Sequence, residues 1–252
     1  MAGNRVIAFA GKGGVGKTSL AALTVRLLVE NFPSKKVLAI DADPAIGLST
    51  ALAVDVTKTV DDIRLQFVKN VELKRASTAE SMSEAECEIT DAIIDCGDFA
   101  FLAIGRPESA GCYCAVNAFL KEIIGGVCDD FDYIVIDGEA GVEQINRRVM
   151  EKVTDLILVS DASRKGIDVI TTIRDVARDM GMYDRAGAII NRVKSADVAD
   201  MLNLGDLDAL GFIFEDDELQ MLDIQGSSLM NLSADALTIK TLEKALGEVE
   251  IF

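Results

Sequence analysis

Short apolar runs alternate along the chain with longer stretches whose apolar residues recur at helical spacing. Val6–Ala10 reads as a strand and Lys17–Glu30 as a helix. Val37–Ile40, Asp98–Ile104, Tyr133–Ile136, Leu156–Ser160, Ala186–Ile190 and Gly211–Phe214 add strands. Gly166–Met180, Ala196–Leu204 and Ala234–Val249 add helices. Strands that are apolar throughout, rather than at every second residue, are buried on both faces. Such strands alternating with helices predict an α/β fold, a doubly wound and mostly parallel sheet with helices on both faces. Residues 55–97 are the hardest to place; a helical period over Val60–Val71 and a high charge suggest a segment covering one edge of the sheet. No linker-like stretch or repeat interrupts the pattern, so residues 1–252 read as a single domain.

Composition narrows the chemistry. The 252 residues include no histidine, which removes Ser-His-Asp triads, Cys-His dyads and His-based zinc sites together. Lys and Arg number 25 against 42 Asp and Glu, a net charge of −17. That balance opposes non-specific binding to nucleic acid or anionic lipid, so neither is expected as a partner. The five cysteines, the absence of a signal-peptide pattern and the lack of any apolar run near ~18 residues point to a reducing, cytoplasmic setting.

The first strand leads directly into Gly11-Lys12-Gly13-Gly14-Val15-Gly16-Lys17-Thr18, with Ser19 next in the following helix. This is the G-x-x-x-x-G-K-[ST] pattern of a P-loop. Glycines let the backbone curl until successive N–H groups face one phosphate, and the helix N-terminus adds its partial positive charge. Lys17 adds a point charge, and the Thr18 hydroxyl can ligate Mg²⁺. Ile134-Val135-Ile136-Asp137 is an apolar strand ending in a carboxylate, the Walker B pattern, which places Asp137 opposite Thr18 on the same ion. Asp41-Ala42-Asp43-Pro44 ends the second strand, where parallel sheets bind ligands. Asp43 ahead of Pro44 is also good helix-capping chemistry.

The second lysine, Lys12, gives the loop the form G-K-G-G-x-G-K-T. This resembles the deviant Walker A ATPases, among them MinD, ParA, the nitrogenase iron protein and metal-centre maturation ATPases. The resemblance implies an ATP-dependent homodimer in which Lys12 reaches the nucleotide of the partner subunit. It implies that Asp43 orients the attacking water and that Asp41 lies near the Mg²⁺ shell. Gly138-Glu139-Ala140-Gly141 resembles that group's second switch, where the Gly141 N–H would sense the γ-phosphate. Asn191, at the end of Ile189-Ile190-Asn191, matches the asparagine that reads adenine there. Lys12, Lys17 and Asp43 are thus the expected catalytic residues.

Cys112-Tyr113-Cys114 is the remaining chemical signal. Two thiolates fall short of the four ligands a closed soft-metal site wants, and a two-fold dimer supplies the other two. By itself the pair also fits two structural cysteines in a loop. Together with the deviant Walker A, the run Gly111-Cys112-Tyr113-Cys114-Ala115-Val116-Asn117 resembles the CooC-type ATPases that mature nickel enzymes. That resemblance implies Ni²⁺ or Zn²⁺ bound at a homodimer interface, with apo carbon monoxide dehydrogenase or a related nickel enzyme as partner. Gln144 and Glu139 depart from that family, whose members often carry His and a smaller residue at these positions. Cys87, Cys96 and Cys128 match no motif and read as structural. The alternatives are a MinD/ParA-like positioning ATPase, a nitrogenase-type electron donor, for which Cys112 and Cys114 lie too close together, or a nucleotide-binding adaptor holding structural zinc.

Overall fold

A computed structural model describes residues 4–72, 78–106, 114–138, 141, 145–146 and 149–251, with side chains for all of these except 71–72, 78–79 and 114–115. Among the described residues the strands are β1 (Arg5–Gly11), β2 (Val37–Asp41), β3 (Ile94–Asp95), β4 (Ala100–Ala103), β5 (Tyr133–Asp137), β6 (Val153–Ser160), β7 (Tyr183–Val193) and β8 (Ala209–Phe214). They form one sheet in the order β3-β4-β2-β5-β1-β6-β7-β8. Every pairing is parallel except β3 with β4. The helices are α1 (Lys17–Asn31), α2 (Gly47–Leu52), α3 (Val60–Glu72), α4 (Thr78–Asp91), α5 (Cys114–Cys128), α6 (Arg164–Asp179), α7 (Ala196–Asp200), α8 (Asp217–Ile224) and α9 (Leu237–Gly247).

Strand alternation sends Val6, Ala8 and Ala10 to one face and Ile7 and Phe9 to the other, all of them buried. The first face packs against Ile63 and Phe67 of α3, Ile89 of α4, Ile124 of α5 and Ile170 of α6. The second packs against Leu20 and Leu23 of α1 and Ile239, Leu242 and Leu246 of α9. The sheet is doubly wound, as the apolar runs predict. The C-terminal ends of β2, β5 and β1 lie side by side, with β5 between the other two, and the candidate site forms there.

The structure corrects four readings. The described residues of 55–97 cover a face more than an edge: Val60, Ile63, Ala85 and Ile89 belong to the core, and among the described residues only the two-residue β3 forms the rim. The helix expected over Ala196–Leu204 stops at Asp200. Three helices were not expected from the periodicity: α2 and α8, too short to show one, and α4, which lies in the charged stretch 55–97. Of the cysteines read as structural, Cys128 is buried in the core, whereas Cys87 is exposed. Burial pushes the Cys128 thiol up to about 12, which keeps it protonated and inert.

Candidate nucleotide-binding site

The phosphate loop bridges β1 and α1. Gly11 and Gly16 have φ of +148° and +93°. A Cβ on Gly11 would come within 2.0 Å of the Val159 carbonyl oxygen, and one on Gly16 within 2.5 Å of Asn191 Nδ2. Only glycine fits at either place. By contrast, a Cβ on Gly13 or Gly14 would meet nothing within 4 Å, so the loop is open on its outer side.

α1 starts without a side-chain cap and without an acidic residue in its first turn. α6, α7 and α8 are each capped by a side chain, from Ser163, Ser195 and Asp216. An N-terminus left uncapped beneath a glycine loop is suited to an anion, whose charge the exposed N–H groups and the helix dipole favour. Lys17, 7% exposed, donates from Nζ to the Lys12 carbonyl at 3.2 Å and so lies under the loop.

Asp41 and Asp137 are direct neighbours in the β2–β5 ladder, and both are fully buried. Thr18 donates from its hydroxyl to Asp137 Oδ2 at 2.6 Å. Asp137 Oδ1 is buried with no hydrogen-bond partner. Burial pushes Asp137 up to about 7, against the lowering hydrogen bond from Thr18; Asp41 adds a raising charge and Lys17 a lowering one. An orphaned carboxylate oxygen beside a threonine hydroxyl fits Mg²⁺, which takes hard oxygen ligands. Asp41 is raised to about 6 by burial, partly opposed by N–H donors from Leu48, Asp43 and Ser49. Those bonds, at 2.8, 3.2 and 3.4 Å, make Asp41 the staple of the loop that leads into α2. Asp43 stands half-buried in that loop and accepts from the Ala45 N–H at 2.8 Å, closing a turn instead of capping a helix.

Lys12 donates to Asp161 at 2.9 Å within its own chain. Burial raises the Asp161 carboxyl, but hydrogen bonds from Ser163 and Lys12 outweigh it and hold the group below its usual range. Asn191, on β7, donates to the Val15 carbonyl at 2.8 Å and accepts from the Arg192 N–H, so it braces the loop from behind. Arg192, at φ +56°, donates to the Gly14 carbonyl at 3.0 Å. Neither Asp161 nor Arg192 was expected at the site. Asp161 follows the C-terminal end of β6, and the strand-end rule applied to Asp41 and Asp137 reaches it equally.

Gly11 through Ser19, Asp41, Asp43, Asp137, Gly141 and Asn191 are all placed, the first ones as a contiguous loop and helix start. Cys112 lies outside the described residues, as do Glu139 and Gln144. Cys114 is the first residue of α5, and its side chain is outside the description. Among the described residues no group of three or more His, Cys, Asp or Glu side chains could hold a metal ion.

The profile of the AAA_31 family, described as an AAA domain, matches residues 4–181. The chain belongs to this family of P-loop ATPases, within the MinD/ParA superfamily. An uncharacterized ATP-binding protein of Methanocaldococcus jannaschii is 32% identical over 97% of this chain and 98% of its own length. The carbon monoxide dehydrogenase accessory protein CooC of Rhodospirillum rubrum is 29% identical, over 94% of this chain and 96% of its own. Among solved structures, the septum site-determining protein MinD of Pyrococcus horikoshii, complexed with Mg-ADP, aligns over 98% of this chain and 96% of its own, with TM-score 0.69 and 23% identity. This AAA_31 protein therefore shares the MinD fold, and its sequence runs alongside CooC for almost its full length.

Proposed function

We propose that this AAA_31 protein is a homodimeric, Mg²⁺-dependent ATPase that binds Ni²⁺ or Zn²⁺ through Cys112 and Cys114 and assists nickel insertion into carbon monoxide dehydrogenase or a related enzyme. The observation that carries the reading is the C-x-C pair, in a chain without histidine, whose second cysteine is the first residue of α5. The full-length similarity to CooC supports it.

The site's own residues account for the nucleotide chemistry. The uncapped start of α1 and Lys17 hold the phosphates. Thr18 and Asp137 would hold Mg²⁺, and the ion would supply positive charge to the phosphate oxygens. Asp43, in the turn ahead of α2, orients water toward that phosphate, and Asn191 fixes the loop's shape from β7. Lys12 leaves Asp161 to reach the partner's nucleotide. That pair is about one-third exposed on both sides, so its loss costs about 0.2–1 kcal/mol, little against a phosphate contact. Dimerisation then gathers four thiolates around one ion, and hydrolysis loosens the dimer and releases the ion to the apo-enzyme.

A MinD-like positioning ATPase is the second reading, favoured by the shared fold. Membrane use of that type calls for a basic amphipathic helix with a free apolar face. In α9 that face is committed: Ile239, Leu242 and Leu246 pack on the sheet. The test is activation of an apo nickel enzyme under anaerobic conditions with Ni²⁺ and Mg·ATP. Wild type is expected to restore activity, while Lys17→Ala, unable to bind nucleotide, and Asp43→Asn, binding without turnover, are not. Equal ATP turnover in Asp43→Asn and wild type would remove Asp43 from the mechanism.

A further inference from the structure

Between Lys194 and Lys240 the chain has no lysine or arginine and ten acidic residues, so this stretch holds −10 of the net −17. Arg174 pairs with Asp206 and Lys240 with Asp235, which answers two of the ten. The same stretch leaves large apolar side chains in the open. Among the described residues the exposed ones are Met180, Met201, Met221, Ile224 and Leu237, and all but Met180 fall here.

α8 combines both features. Steps of four and three residues put Asp217, Met221 and Ile224 in one stripe, with Met221 52% and Ile224 71% exposed. Asp217, Glu218 and Asp223 are exposed and enter no ion pair among the described residues. The other side of the helix holds it down. Leu219 and Leu222 pack on the second face's core. Asp216 caps the helix, accepting from the Glu218 and Leu219 N–H groups at 3.1 and 3.2 Å and from the Thr238 hydroxyl at 2.7 Å. Glu218 accepts from the Ser233 N–H at 2.9 Å. The stripe is thus presented by a helix anchored at its start and along its inner side.

Apolar side chains exposed singly are ordinary on a protein surface. Two in register on one short helix, rimmed by unpaired carboxylates, form a patch with a definite complement. Methionine adapts its shape to varied apolar partners. The carboxylates decide which partner. They repel nucleic acid, anionic lipid and a second copy presenting the same face. They attract a basic amphipathic helix, whose apolar side chains at i, i+3 and i+4 would cover Met221 and Ile224 while its Lys or Arg residues meet Asp217, Glu218 and Asp223. We propose that the outer face of α8 is a docking site for a basic, apolar segment of a partner protein. The surface uses neither the nucleotide site nor the cysteines, so it stands apart from the metallochaperone reading.

The probe is a synthetic helical peptide of leucine and lysine, with leucine at helical spacing, and a control in which every lysine is glutamate. Affinity is measured by calorimetry and the contact is located by amide hydrogen exchange on the full chain. Wild type is expected to bind the lysine peptide, more weakly as salt rises, to gain protection over α8, and to ignore the glutamate peptide. Met221→Ser/Ile224→Ser should weaken binding by about tenfold or more, because two apolar side chains no longer lose contact with water. Asp217→Asn/Asp223→Asn should weaken it and flatten its salt dependence, and this pair decides the matter if circular dichroism shows the first variant unfolded. Asp129→Asn/Asp130→Asn removes the same charge from exposed positions ahead of β5 and should bind as wild type does. Undiminished affinity in the folded α8 variants, an equal loss in Asp129→Asn/Asp130→Asn, or protection away from α8 overturns the proposal. So does wild-type binding to phosphatidylglycerol vesicles, or self-association in sedimentation, that the α8 variants abolish, since either result gives the face to lipid or to a second copy.

Discussion

Asp41 and Asp137 stand side by side at the ends of β2 and β5, and burial holds both carboxyls above their ordinary range, to about 6 and about 7. A carboxyl whose folded pKa exceeds its unfolded value keeps its proton more tightly in the fold. Its contribution to stability is therefore full below pH ~4 and is lost as pH rises through the folded value. Without nucleotide, these two groups should lower stability between pH 4 and 7, by up to about 1.4 kcal/mol per pH unit per group. Asp137→Asn is expected to flatten that slope in urea denaturation at a series of pH values; an unchanged slope would place the proton elsewhere. Mg²⁺ with ADP should stabilise wild type more at pH 7.5 than at pH 5.5, because the cation and the proton compete for one oxygen. The residue types at this site were legible because phosphate and Mg²⁺ chemistry demand a narrow set at fixed spacing. The pairings were not: Lys12 with Asp161, and Asn191 with Val15, join residues 149 and 176 positions apart. No local pattern encodes such contacts.

The decisive element is the strand–loop–helix unit of β1, the phosphate loop and α1. Gly16 has positive φ and no room for a Cβ against Asn191, so Gly16→Ala strains the backbone and pushes Asn191 off Val15. We expect loss of nucleotide binding by calorimetry, with a melting temperature a few degrees lower, since about 1–2 kcal/mol is typical for a side chain forced into the left-handed region. Wild-type affinity in this variant would mean that the loop tolerates another shape. Long elements such as α1 and α6 were read to within two residues because their periodicity spans several turns. α2 and α8 were missed because six and eight residues barely complete two turns, and α2 is held by Asp41 accepting its N–H groups more than by any apolar stripe. The stretch 55–97 was misplaced for a related reason. Its charged residues mask the apolar set Val60, Ile63, Phe67, Ala85 and Ile89 that packs on the sheet.

For the whole molecule, a net charge of −17 means that two copies repel at long range, so association requires a specific attraction. In the proposed dimer that attraction is Lys12 on the partner's phosphates and a shared ion between thiolates. Light scattering should therefore find a dimer with Mg·ATP and Ni²⁺, and Lys12→Ala should shift it to monomer with ATP alone. A wild type that stays monomeric with both ligands saturating contradicts this assembly. The central claim, that two chains build one thiolate cage, is tested most directly by anaerobic Ni²⁺ titration of the reduced apo-protein, with absorbance and calorimetry recorded together. A shared cage gives one ion per dimer, an ultraviolet thiolate-to-metal charge-transfer band, proton release on binding, and loss of all three in Cys112→Ala/Cys114→Ala while basal ATP hydrolysis persists. Unchanged stoichiometry and affinity in that double variant would contradict it.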